Sequence, residues 1–242
     1  GLQLAWDRLT PDQLAGLLND SRHAVQQRAM RQLGKIGVRA IPALQQVLTQ
    51  SKSAIARCHA CWSATRIEHT SARSLVRLGL ADPDETVRQA ALSSVSLWRD
   101  RQAMGQLLEI LRQGPAHHRR AAAEALGRIG EGSAVADILD ALAQPTDRFL
   151  EHSLIFALIE IGNLQATRAG LASENVSQRR AAMIALDQIP GGELEPQQVI
   201  AELDSPDART RETAWWIVSR HSQWWGRMLA NWLGQRVNDP RL

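Results

Sequence analysis

His118-Arg119-Arg120-Ala121-Ala122-Ala123-Glu124-Ala125-Leu126-Gly127-Arg128-Ile129-Gly130 decides the fold. Its alanines and Leu126 favour helix, and their small volume suits a helix packed closely on both sides. Gly130 then supplies a helix stop. Just upstream, Ala103, Leu107, Leu108, Ile110 and Leu111 recur at helical spacing until Gly114-Pro115 breaks the run. Residues 102–130 therefore predict two helices joined by a short turn, an αα-hairpin.

The pattern recurs along the chain. Its apolar anchor falls at Leu33, Ala64, Val95, Leu126, Leu158, Leu186 and Ile217, at intervals of 31, 31, 31, 32, 28 and 31 residues. A fixed period in this range marks stacked supersecondary units, each burying what a lone hairpin would expose. Turns ahead of the second helices carry Asn19-Asp20-Ser21, Asp82-Pro83-Asp84, Pro145-Thr146-Asp147, Ser173-Glu174-Asn175 and Ser205-Pro206-Asp207, residues that cap or open helices. No strand-length period-two segment appears, so no sheet is expected. The expectation is an all-α, right-handed α-α superhelix of about seven helical hairpins. It would be one repeat domain over 1–242, with repeats at 11–37, 38–67, 70–98, 100–130, 132–162, 163–190 and 194–221. A capping helix over 222–236 and a tail over 237–242 would follow.

The block Arg119–Gly130, echoed at Gln27–Gly37, resembles the HEAT repeat, and its short period resembles the compact HEAT-like variety also found in phycobilin lyases. The resemblance spans roughly 11–221 and implies a scaffold or protein-binding module. A narrower likeness lies in Asp207–His221 followed by Gln223-Trp224-Trp225-Gly226. It is similar to HEAT sections of large planctomycete and verrucomicrobial proteins described as membrane-bound dehydrogenases. Those place a β-propeller before the helices and a c-type cytochrome domain after them. That likeness implies a non-catalytic middle segment and, with it, the cell envelope or periplasm.

Composition narrows function. Of 28 basic residues only Lys35 and Lys52 are lysine, yet the net charge is just +3. A strong nucleic-acid binder more often shows a larger, clustered excess, so nucleic acid is disfavoured as a partner. No apolar run is long enough to span a membrane, and no signal-peptide pattern is present. The start at Gly1-Leu2 suggests a processed or engineered fragment. A monomer is expected.

Three groups invite a chemical reading. Cys58-His59-Ala60-Cys61-Trp62 lacks the His directly after the second Cys that haem attachment needs, and no second ligand pair completes a zinc site. The repeat register sets Cys61 at an interior helix position, so small, buried, unreactive cysteines are expected. Arginines recur at the openings of the second helices: Arg28, Arg57, Arg88, Arg119, Arg120, Arg179, Arg180, Arg209 and Arg211. They would either pair with turn residues Asp20, Asp84, Asp147, Asn175 and Asp207 or form a strip reading carboxylates or phosphates on a partner. Trp215, Trp216, Trp224, Trp225 and Trp232 would seal the terminal core, offer a docking surface, or both. His117-His118 reads as a solvated turn. Glu109, Glu124 and Glu160 read as helix surface.

No phosphate loop, nucleophile elbow or metalloprotease motif occurs. No catalytic, cofactor-binding or metal residue is assigned, no cofactor is expected, and the segment reads as non-enzymatic. The candidate interaction surface is Arg57, Arg88, Arg119, Arg120, Arg179, Arg180, Arg211, Trp224, Trp225 and Trp232. The expected function is protein–protein interaction, with a protein partner or the adjacent domains of a longer chain. The alternative is a DNA-binding HEAT-like protein of the alkylpurine DNA glycosylase type. A bilin lyase rests on repeat similarity alone.

Overall fold

The computed structural model describes residues 4–144, 147–192, 194–224 and 226–237, and among them there is no strand. The chain forms two compact units, 1–110 and 111–242. In the first, α1 (Pro11–Gly16) precedes α2 (His23–Ile36), α3 (Ile41–Gln50) precedes α4 (Ala54–Ala64), and α5 (Thr70–Gly79) precedes α6 (Glu85–Trp98). Helix α7 (Met104–Gln113) runs over the division. The second unit holds α8 (Ala116–Ile129), α9 (Val135–Ala143), α10 (Arg148–Ile161), α11 (Leu164–Ala169), α12 (Val176–Gln188), α13 (Pro196–Ala201), α14 (Ala208–Arg220) and α15 (Arg227–Arg236).

Within each unit a shorter helix alternates with a longer one, and the longer helices pack on one another: α2 on α4, α4 on α6, α8 on α10, α10 on α12, α12 on α14. All seven periodic anchors, from Leu33 to Ile217, are buried. Each buried Leu or Ile contributes roughly 1.5–3 kcal/mol. Close approach explains the small residues. A Cβ on Gly127 would stand 3.0 Å from the Ala157 Cα on the neighbouring helix. The same crowding governs Cys61, whose sulfur would lie 3.0 Å from a Cβ on Gly79. Burial pushes the Cys61 thiol up to about 12 and raises the half-buried Cys58 as well. Neither environment favours a thiolate at neutral pH.

Helix ends follow local chemistry. Thr10, Ser53, Asp84, Asp147, Asn163, Asn175 and Asp207 accept backbone N–H bonds at the first turns of their helices. Helices α2, α8 and α10 stop at Gly37, Gly130 and Gly162, with φ of 71°, 76° and 66°. Helix α6 stops in the left-handed region too, but with Arg99 at φ 50°, the one positive-φ non-glycine among the described residues. A side chain there costs about 1 kcal/mol that glycine avoids. His117 and His118 lie inside α8, and His118 is buried rather than solvated. The reason is Pro115, which caps α8 and so draws both histidines into its first turn.

Candidate functional site

Counting from the caps gives the recurrent arginines one register. Four residues after Ser53, Asp84, Pro115, Asn175 and Asp207 stand Arg57, Arg88, Arg119, Arg179 and Arg211. Each side chain turns back onto carbonyls of the preceding segment. Arg57 donates to Ser51 O (2.9 Å) and Arg88 to Asp82 O (2.7 Å). Arg119 donates to Leu111 O (2.9 Å), Arg179 to Ser173 O (2.8 Å) and Arg211 to Ser205 O (2.7 Å). In α2, Gln26 does the same with its amide, 2.6 Å from Asp20 O. These guanidiniums satisfy carbonyls that end the first helix of each hairpin and the linker after it.

The carboxylates they meet belong to the following repeat. Arg57 forms a two-pronged pair with Asp82 at 2.8 and 2.9 Å, which raises the already basic guanidinium further. Arg179 meets Glu202 at 2.9 Å. The turn acids suggested as partners mostly serve elsewhere. Asp84, Asp147, Asn175 and Asp207 are helix caps, and Thr86 and Thr210 hold the Asp84 and Asp207 carboxyls below their usual range. Asp20 pairs with Arg22, whose hydrogen bonds bring it down to about 2. A pairing between a turn acid and a ladder arginine of the same hairpin therefore gives way to arginine on carbonyl, because the caps claim the acids first.

In one helix the register carries an acid. Four residues after Asp147 stands Glu151, not arginine. It is buried on α10 and pairs with Arg180 of α12 and Arg209 of α14. Arg180 is also buried. Desolvation and the neighbouring Arg209 charge pull its guanidinium below the ordinary range. One carboxylate thus ties three successive long helices together. Around it, α10 exposes apolar surface that its fold does not use: Phe149 is 72% exposed and Phe156 47%. Arg120 sits exposed on α8, with Glu124 3.8 Å away.

At the end of the second unit, the tryptophans divide. Trp224 and Trp232 are half-buried against a cluster containing Leu186, Leu203 and Ile217. Trp232 donates to Asp204 Oδ2 at 3.1 Å, and its ring meets Trp215 edge-on at 5.6 Å. Trp215 and Trp216 remain 44% and 43% exposed. Trp225 lies outside the described residues. Beside them a cavity of about 350 Å³ is lined by Asp187, His221 and Trp224. The His221 ring stacks on Trp224 and its Nε2 stands 2.6 Å from the buried Asp187 carboxylate. Gln223 approaches the other ring nitrogen at 3.0 Å. With both nitrogens engaged, the imidazole is a structural clasp for the last hairpin.

Trp215 and Trp216 take the exposed alternative that the sequence offered, whereas Phe149, Phe156, Glu151 and the His221 clasp lay outside it. A count from the caps rather than from the apolar anchors would have flagged Glu151 as the single acid in an arginine register. Among the described residues no group of three His, Cys, Asp or Glu side chains could hold a metal ion.

Residues 10–96 and 74–159 match the family model for HEAT repeats, more than half of the chain. The protein belongs to the HEAT-repeat family. No curated protein matches it. Among solved structures it is similar to a chain of the complex of CpcE and CpcF of phycocyanin lyase from Nostoc sp. PCC7120. The identity is 21%, the TM-score 0.50, with 91% of this chain and 89% of that one covered. It is also similar to a chain in the structure of Kap95p bound to RanGDP, at 14% identity and TM-score 0.62. That match covers 89% of this chain and 35% of the other. A designed armadillo repeat protein aligns at 15% identity and TM-score 0.44, over 75% of this chain and all of that one. At such identities the likeness is one of fold.

Proposed function

We propose that the protein is a non-enzymatic interaction module that holds a protein partner on the exposed face of the long helices of its second unit. The observation that carries this is the exposure of Phe149 and Phe156 on α10 and of Trp215 and Trp216 on α14. Aromatic anchors of this kind dominate binding energy when a partner desolvates them. Arg148 is exposed beside Phe149 in sequence, and Arg220 lies 4.7 Å over the Trp216 ring, so guanidiniums suited to carboxylates accompany the aromatics. The periodic arginines at Arg57, Arg88, Arg119, Arg179 and Arg211 are spent on their own backbone, so the aromatic face is the better candidate. The C-terminal resemblance to HEAT sections of planctomycete redox proteins makes the adjacent domains of a longer chain the first partners to test.

The experiment is affinity capture with the wild-type chain and with a Phe149→Ala/Phe156→Ala/Trp215→Ala variant, using adjacent domains and lysate as sources. A partner held by the wild type and released by the variant, with helical content unchanged, supports the reading. Equal capture by both, or none by the wild type, overturns it.

A further inference from the structure

The first unit contains a second site of different character. A cleft of about 840 Å³ opens where α4 and α6 end and α5 begins. Arg66, Arg73, Arg77, Arg99 and Arg101 line it, with Trp98. Against these five guanidiniums stand two carboxylates, Glu68 and Asp100. Asp100 is buried and already committed to Arg77 at 2.6 Å. None of Arg66, Arg73 and Arg99 makes an ion pair with a described residue, although Arg73 lies 5.6 Å over the Trp98 ring. Setting Glu68 against one of Arg66, Arg73 and Arg99 leaves two guanidiniums, still more than the roughly half a negative charge that each of the α4 and α6 ends brings. The local field is therefore positive, in a chain whose whole net charge is only +3.

Arg99 supplies an independent argument. It occupies the left-handed helix stop that glycine fills in α8 and α10. An arginine anywhere in the last turn would favour the helix dipole without that strain. Its placement at the strained stop sets Arg99 in the lining of the cleft. Backbone strain retained in this way is a mark of function.

We propose that this cleft binds a small, multiply charged oxyanion, a phosphate or polycarboxylate, clamped by Arg66, Arg73 and Arg99. Planar guanidiniums match both anions with paired hydrogen bonds. The site is separate from the aromatic face of the second unit and stands whether or not that face binds protein.

The test is isothermal titration calorimetry of the whole chain at low salt, with inorganic pyrophosphate and with citrate as probes. Saturable binding of either is expected, and the tighter probe assigns the phosphate or carboxylate class. Arg66→Gln/Arg73→Gln/Arg99→Gln should weaken it by about tenfold or more. Arg8→Gln/Arg31→Gln/Arg39→Gln, equal in charge change but outside the cleft, should not. Arg99→Gly should keep the melting temperature and still lose affinity, because glycine suits the stop and only the guanidinium is gone. No binding of either probe, equal loss in both triple variants, or binding of a DNA duplex alone would overturn the proposal.

Discussion

Glu151 shows how one residue can hold more of this structure than a ladder of pairs. Its carboxylate is buried between Arg180, also buried, and Arg209, which is largely exposed. Removing it leaves the buried Arg180 charge without its hydrogen-bonded carboxylate and with only the more weakly acting Asp207 opposite it, which costs about 3 kcal/mol. Glu151→Ala is therefore expected to lower urea-unfolding stability by that amount at pH 7. Adding Arg180→Met should recover most of the loss, because it removes the stranded charge rather than restoring a pair. A Glu151→Ala protein within 1 kcal/mol of wild type would contradict the buried-charge account. The sequence displayed the recurrence of arginine but not its acceptors. Carbonyls carry no residue label, and the turn acids that looked like partners are drawn to backbone N–H groups two or three residues on. Cys61 was legible for the opposite reason: its position in the repeat fixes its burial, and burial alone sets its chemistry.

At the scale of the element, the helix starts are what the charged turns stabilise. Thr86 and Thr210 hold the Asp84 and Asp207 carboxyls below their ordinary value of 3.8. A group with a depressed folded-state pKa contributes stability that is fully present above its unfolded value. That contribution is lost as pH falls through the folded one. Asp84→Asn/Asp207→Asn keeps a capping oxygen at every pH, as Asn175 does naturally in α12. Wild type should therefore exceed this variant in melting temperature most clearly above pH 4, and the gap should close as acidification protonates the two carboxyls in the folded state. A gap that is constant across this range would remove the carboxylate contribution from the account. Caps and glycine stops were readable because they depend on neighbours in sequence. The pair His117-His118 was misread because one proline moved the helix start, which is a local choice between two acceptable turns.

Within each unit contacts fall between neighbouring helices, and the period records that. The single short interval, between Leu158 and Leu186, has a physical cause: α11 is only six residues long, and just two residues, Gly162 and Asn163, separate it from α10. Helix α13 is equally short, but the segment 189–195 restores the spacing. The period was legible because every repeat must bury the same anchor. The aromatic face was legible only as an alternative at Trp215 and Trp216 and not at Phe149, since exposure depends on which side of a helix neighbours leave uncovered. Neighbour-only packing also predicts how damage spreads. Ile217 is fully buried among Met183, Leu186, Val199, Leu203 and Val218. Ile217→Ala removes about 2–5 kcal/mol of packing at that point. Native-state hydrogen exchange should then show lost protection across α13, α14 and α15, while α4 and α6 keep theirs. Uniform loss across the chain would instead mean that the array unfolds as one cooperative body, and that the repeat is a pattern of sequence more than a unit of stability.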